Sequence, residues 1–301
     1  MVENKSTTVT TKIITTERLR MHCRVHGDPE GLPMLLLHGS FGSSRWWEPL
    51  FALLPEAIYA VAPDLRGCGA TEKAETGYTV EEQAADVAAL VESLGWQNFD
   101  LVGHAAGGAI AFEFALQQTN LLNTLTLIAP APIEGIFTPI DGIMALAEMQ
   151  HNEALLRQGL SLLLSTYDRS APGAQSFFEA LLADAQGMAT NAFTGMAESL
   201  NRWNRFREAQ QVTLPTLLIW GDRDPIIHRD AMTRSLIAIP GAANLDVLRN
   251  VGHSPMVEAP LALAEHLLEF ITEDYDAYAE AREVAAGDFN NALQEARERA
   301  E

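Results

Sequence analysis

Between residues 99 and 117 the chain makes one move that leaves few folds open. An apolar run at 99–102 leads into Gly103-His104-Ala105-Ala106-Gly107, and a helix rich in small residues follows over 106–117. An apolar run of this length, bounded by a turn, reads as a buried strand. The Gly-x-x-x-Gly turn bends the chain sharply from strand into helix and lifts its central residue above the sheet edge. The alternation extends on both sides. Residues 34–37 form a short buried strand ending at His38-Gly39, 46–54 have helical spacing, and 58–62 form a second buried strand closed by Pro63-Asp64. Residues 80–94 predict an amphipathic helix, with Val80, Ala84, Val87, Leu90, Val91 and Leu94 along one face and Gly95 as its stop. A further strand is expected at 122–129, and an opening antiparallel hairpin at 8–16 and 18–26. Strands alternating with helices predict an α/β class with a mostly parallel sheet covered on both faces.

The alternation pauses from about 133 to 211, where helical stretches break at Pro139, Pro172-Gly173 and Gly187. It resumes with a strand at 216–220, a helix near 230–239, a strand at 245–248 and a helix at 261–272. The expected organisation is a core at 1–131, a helical cap at 132–212 inserted after the sixth strand, the rest of the core at 213–272, and a tail at 273–301. The cap belongs over the carboxyl edge of the sheet, where open α/β sheets bind ligands. In the tail, Phe289, Leu293, Ala296 and Ala300 share a helical face. The tail or the cap is the surface on which a homodimer would form.

Charge excludes some partners. The formal net charge is −20 at pH 7, which argues against nucleic acid and anionic membrane surfaces. Residues 1–12 are polar and threonine-rich with no apolar core of a secretion signal, and no apolar run reaches the length of a membrane span. A soluble cytoplasmic protein is expected. Cys23 and Cys68 form no disulfide framework, and His22, His26, His151, His228 and His266 make no metal-ligand cluster. Neither a phosphate loop nor a G-x-G-x-x-G dinucleotide turn is present. No metal or organic cofactor is expected.

Four short motifs stand at predicted strand ends: His38-Gly39-Ser40-Phe41-Gly42, the turn at 103–107, Gly221-Asp222-Arg223-Asp224-Pro225, and Val251-Gly252-His253-Ser254-Pro255. Their order places a nucleophile position, an acid and a histidine as in a nucleophile-elbow triad. Over roughly residues 10–272 the chain resembles the α/β-hydrolase superfamily, in particular its capped esterase, lipase and haloperoxidase-like branch. The resemblance implies the α/β-hydrolase fold and a role for each station. Position 105 is the nucleophile's, His253 the base and Asp224 its acid. Backbone N–H groups of Ala106 and Ser40, with Phe41 as neighbour, form the oxyanion hole. Taken alone, a histidine after a strand is ordinarily a satisfied structural residue; the G-H-S-P context and the chain order set His253 apart. Asp222 reads as a turn residue, and Glu134 occupies an acid position used by some relatives. His104 reads as elbow filler, His38 as a brace of the oxyanion loop, and 64–69 as structural turn chemistry.

The family pattern has serine where this chain has Ala105, and a methyl group attacks nothing. The leading reading is an engineered serine-to-alanine change in a carboxylesterase-like serine hydrolase, expected to be inactive in this form. A natural ligand-binding pseudoenzyme is one alternative. The other is a lost Asp or Cys nucleophile, as in the dehalogenase and epoxide hydrolase branches, although the small Ala106 that follows suits serine better. The cap is rich in methionine and aromatics, which adapt to irregular apolar ligands. It carries no basic cluster beyond Arg202, Arg205 and Arg207. An uncharged or weakly polar ester or lactone is the expected substrate, contacted by Phe41, His104, Phe137, Met144 and Trp203.

Overall fold

The computed structural model describes residues 9–273. Eight strands form one sheet in the order β1-β2-β4-β3-β5-β6-β7-β8. They are β1 (Thr10–Thr15), β2 (Arg20–His26), β3 (Leu32–Leu37), β4 (Ile58–Pro63), β5 (Phe99–His104), β6 (Leu122–Ile128), β7 (Thr216–Gly221) and β8 (Ala242–Leu248). β1 and β2 form the expected hairpin, β2 pairs antiparallel with β4, and the pairs from β4 through β8 are parallel. The sheet is therefore mostly parallel, as the alternation predicts, with β1 and β8 as its outer strands.

Both faces are covered. Leu35 and Leu37 of β3 pack into one apolar cluster with Val87, Leu90, Ile110 and Phe114. Met34 and Leu36 face the opposite cluster with Trp47, Leu50, Leu263 and Leu267. The period-two alternation of a strand splits its side chains between two cores, which is why the central strands are buried at nearly every position.

The helices before the insertion are α1 (Glu48–Phe51), α2 (Val80–Leu94) and α3 (Ala106–Gln118). α2 matches its expected bounds, with Thr79 accepting at its N-terminus and Gly95 in the left-handed conformation at its end. The helix expected at 46–54 is instead a 3-10 turn, Ser44–Trp47, followed by the single turn of α1. Pro49 near the start of α1 supplies no N–H to continue a helix begun earlier.

Between β6 and β7 lie α4 (Ile140–Glu148), α5 (Glu153–Leu163), α6 (Ala174–Gln186) and α7 (Gly195–Leu200), with no strand among them. The expected breaks fall at helix ends: Pro139 precedes α4, Gly173 begins α6 in the left-handed region, and Gly187 ends it. After β7 come α8 (Arg229–Ala238), α9 (Pro255–Glu258) and α10 (Pro260–Glu273). α9, a single turn behind the 251–255 motif, was not expected. Among the described residues no helix is long and apolar enough to cross a membrane. The tail at 274–301, with its Phe289–Ala300 face and any dimer role, lies outside the described residues.

α3 sits close against β3 and β5 because its first turn is nearly without side chains. A Cβ on Gly107 would lie 2.4 Å from the His38 carbonyl oxygen, and one on Gly103 2.6 Å from the Gly107 carbonyl oxygen. Both obstacles are backbone atoms, so neither can turn aside. Gly107→Ala is expected to cost about 1–3 kcal/mol of folding stability, read as a lowered urea midpoint; an unchanged midpoint would show that the sheet and α3 can separate freely.

Candidate active site

The elbow is built first. Ala105 has φ 52° and ψ −117°, a conformation that costs a non-glycine residue on the order of 1–3 kcal/mol. The surroundings impose it. The Ala105 N–H donates to the Ile128 carbonyl at 3.0 Å, and its own carbonyl accepts from Gly108 N–H at 3.0 Å and Ala131 N–H at 2.9 Å. The alanine methyl therefore stands at the top of the turn, and the next residue, Ala106, is the first of α3, where backbone N–H groups are free of helical partners.

The acid and the base meet over the neighbouring strands. Asp224 lies in the turn after β7 and His253 in the loop after β8. His253 Nδ1–H donates to Asp224 Oδ2 at 2.9 Å, with both side chains essentially fully buried. The other carboxylate oxygen, Asp224 Oδ1, accepts from the backbone N–H groups of Ile226 (2.7 Å) and Ile227 (3.0 Å). A carboxylate held this way fixes the ring's tautomer and leaves Nε2 as the nitrogen available to the cavity. Asp222 instead accepts from Asn250 N–H at 2.6 Å, and Glu134 pairs with Arg234. Neither competes for the histidine.

The third station is the 38–42 loop. His38 is buried; its Nδ1–H donates to the Gly39 carbonyl at 2.8 Å while Nε2 accepts from Leu65 N–H at 3.0 Å. Burial lowers its affinity for a proton, which suits a ring that must both donate and accept. Phe41 takes a positive φ of 61°, so the loop carries its own strained residue beside the elbow. Asp64 anchors the far side of the loop through Ser44 N–H (2.6 Å) and Ala70 N–H (2.8 Å). Burial opposes its charge, but His22, Ser44 and Ala70 together hold its carboxyl well below the usual range.

A cavity of about 270 Å³ joins these parts. Its wall includes Ser40, Phe41, His104, Ala105, Ala106 and His253. The structure thus brings together every sequence-predicted triad and oxyanion residue except Asp224, which stands behind His253. His104 lines the cavity too and donates Nε2–H to the His253 carbonyl at 2.9 Å. Burial and then the neighbouring His253 push its pKa well below that of an ordinary histidine.

Three expected substrate contacts lie outside the cavity wall. Phe137 and Met144 are 82% and 63% exposed and are not among the residues of the cavity wall. Trp203 is 2% exposed and packs in the core, donating Nε1–H to Glu113 Oε2 at 2.9 Å with its ring edge-on to Phe112. The apolar wall is supplied instead by Leu146, Met149, Leu162, Leu163, Ile226 and Ile227, among others. Ile226 and Ile227 carried one sequence signal: they directly follow Asp224-Pro225. For the aliphatic residues of α4 and α5, helical spacing says which face is apolar but not which face meets a ligand.

Residues 34–266 match the model of the alpha/beta hydrolase family. The chain belongs to this family. Similar members include the soluble epoxide hydrolase of Corynebacterium sp. (strain C12), 38% identical over 113 residues, which cover 38% of this chain and 39% of that protein. Lipase 1 of Psychrobacter immobilis is 28% identical over 244 residues, covering 78% of this chain and 75% of the lipase. Among solved structures, a bromoperoxidase from Bacillus anthracis superposes with a TM-score of 0.79 at 20% identity, covering 88% of this chain and 100% of that one. This likeness shows the shared fold.

Buried histidines, two at the site and one at the end of β2, give the fold a pH signature. His104, His38 and His26 all have lowered pKa values, caused first by burial. At these three positions the unfolded chain takes up protons near pH 6.5 and the folded chain resists, so the stability they contribute is fully present above that pH and is lost as pH falls below it. His104→Gln is expected to flatten the decline of Tm between pH 6.5 and 4.5; a slope identical to the parent's would remove His104 from this linkage.

Proposed function

We propose that the site is that of a carboxylesterase-like hydrolase acting on an ester, lactone or related acyl bond, with its nucleophile removed at Ala105. What supports this reading above all is the buried Asp224–His253 pair beside a strained elbow whose backbone keeps its bend without a nucleophile. With serine at 105, the hydroxyl proton would pass to His253 Nε2 as Oγ attacks the acyl carbon. The oxyanion would meet the N–H groups of Ala106 and the 40–41 loop, and the imidazolium would be steadied by Asp224. Protonation of the leaving oxygen by His253 gives an acyl-enzyme, which water then opens by the same proton path. With alanine no acyl-enzyme forms, and substrate binding is retained. The aliphatic wall favours an uncharged acyl group.

The identity with a soluble epoxide hydrolase favours a second reading, in which the missing side chain is the aspartate of that branch. The two separate by substitution. Ala105→Ser is expected to raise turnover of p-nitrophenyl esters by on the order of 10⁴ to 10⁶, while Ala105→Asp stays inactive on them and on styrene oxide. Epoxide opening by Ala105→Asp alone would establish the second reading. Inactivity of both variants, with ligand binding intact, would make the chain a binding protein.

A further inference from the structure

The backbone around His253 is held by groups that come from elsewhere in the chain. Gly252 N–H donates to Thr166 Oγ1 at 3.0 Å. Ser254 N–H donates to Glu258 Oε2 at 2.9 Å, and the Ser254 hydroxyl donates to the Leu163 carbonyl at 2.8 Å. The Glu258 carboxylate closes the circuit: its Oε1 accepts both Thr166 N–H (2.7 Å) and the Thr166 hydroxyl (2.9 Å). Thus the residues before and after the base are tied, directly or through Glu258, to residues 163–166 at the end of α5. The contact is tight. A Cβ on Gly252 would lie 2.5 Å from Glu258 Oε1 and 2.6 Å from Ser165 Oγ.

The same α5 end also faces the ligand space, because Gly159, Leu162 and Leu163 line the cavity. One short segment therefore touches the place where substrate would sit and grips the loop that carries the base. Neither Thr166 nor Glu258 reaches the cavity wall, so neither meets a reacting atom.

We infer that Thr166 and Glu258 are positioning residues that set the aim of the His253 ring and make its placement depend on the seating of α5. The inference rests on the hydrolase reading only for its kinetic consequence. Thr166 is the sharper probe: its hydroxyl accepts from Gly252 and donates to Glu258, and valine keeps the shape while removing both bonds. Glu258 accepts three donors, and the NH₂ of a glutamine would face one of them.

The decisive measurement uses the chain with Ala105 in place and needs no turnover. The proton on the 2.9 Å bond between His253 Nδ1 and Asp224 Oδ2 is expected to give a far-downfield ¹H NMR resonance. Thr166→Val is expected to lose or shift it, Glu258→Gln likewise, and Thr166→Ser to keep it. In the Ala105→Ser background, Thr166→Val is expected to lower kcat by about ten- to a hundred-fold with little change in KM, as small misplacements of reacting groups do, and Thr166→Ser to recover it. A folded Thr166→Val protein with the parent resonance overturns the inference. So does loss of the resonance in Thr166→Ser and Thr166→Val alike, tracking a common fall in Tm, which would mark a purely structural tie. Failure of Ala105→Ser to turn over any ester would count against the hydrolase reading alone, since the resonance decides the positioning role by itself.

Discussion

A bend that the backbone cannot relax organises this molecule. At residue 105 the chain must leave a central strand and enter a helix within one residue, in a conformation that alanine does not favour. Three hydrogen bonds to residues 108, 128 and 131 hold it there, and glycines at 103 and 107 let the helix close on β3 and β5 without side chains between them. The strain is local and its support is spread over β3, β5 and β6. That is the usual arrangement when a fold exposes one side chain at a sheet edge. The side chain at 105 contributes nothing to this support, so a methyl occupies the position without altering the mould around it.

The segment between β6 and β7 is joined to the sheet's loops on two sides of the cavity. At one side, Ser43 and Arg45, just past the 38–42 loop, bond to Asp184 of α6 at 2.7 and 2.8 Å. At the other, α5 reaches the His253 loop. α4 differs from both. None of its residues is buried, and Phe137, Ile140 and Met144 are open to solvent. The insertion is thus fastened where it meets the polar loops and loosely covered where it is most apolar.

Much of the architecture was legible in the sequence because buried strands and strand-end motifs leave short-range signals. Phe99, Leu101 and Val102 of β5 are apolar because the strand is covered on both faces, and Gly103 marks where it gives way to the turn. Asp224 and His253 could be named because the motifs around them, in the turns that follow β7 and β8, resemble the family's acid and base stations in the family's chain order. The ligand wall was less legible. Trp203 looked available as a contact, yet its indole N–H found the buried carboxylate of Glu113, ninety positions earlier in the chain. An aromatic in an insertion carries no mark that separates packing from recognition. The single turn of α9 escaped notice because four residues are too few to show a period, although it carries Glu258.

Among the described residues the sheet ends in two edge strands, each paired on one side only. β1 presents Lys12 and three threonines, with Ile13 the one large apolar side chain exposed among them, and β8 carries Asn244 and Asp246 at the opposite margin. Charged and polar side chains on outer strands discourage a second sheet from docking edge to edge, and a net charge of −20 adds repulsion between copies at a distance. Edge-to-edge growth of the sheet by further chains is thereby disfavoured at both described margins, although the eight described strands form an open sheet rather than a barrel.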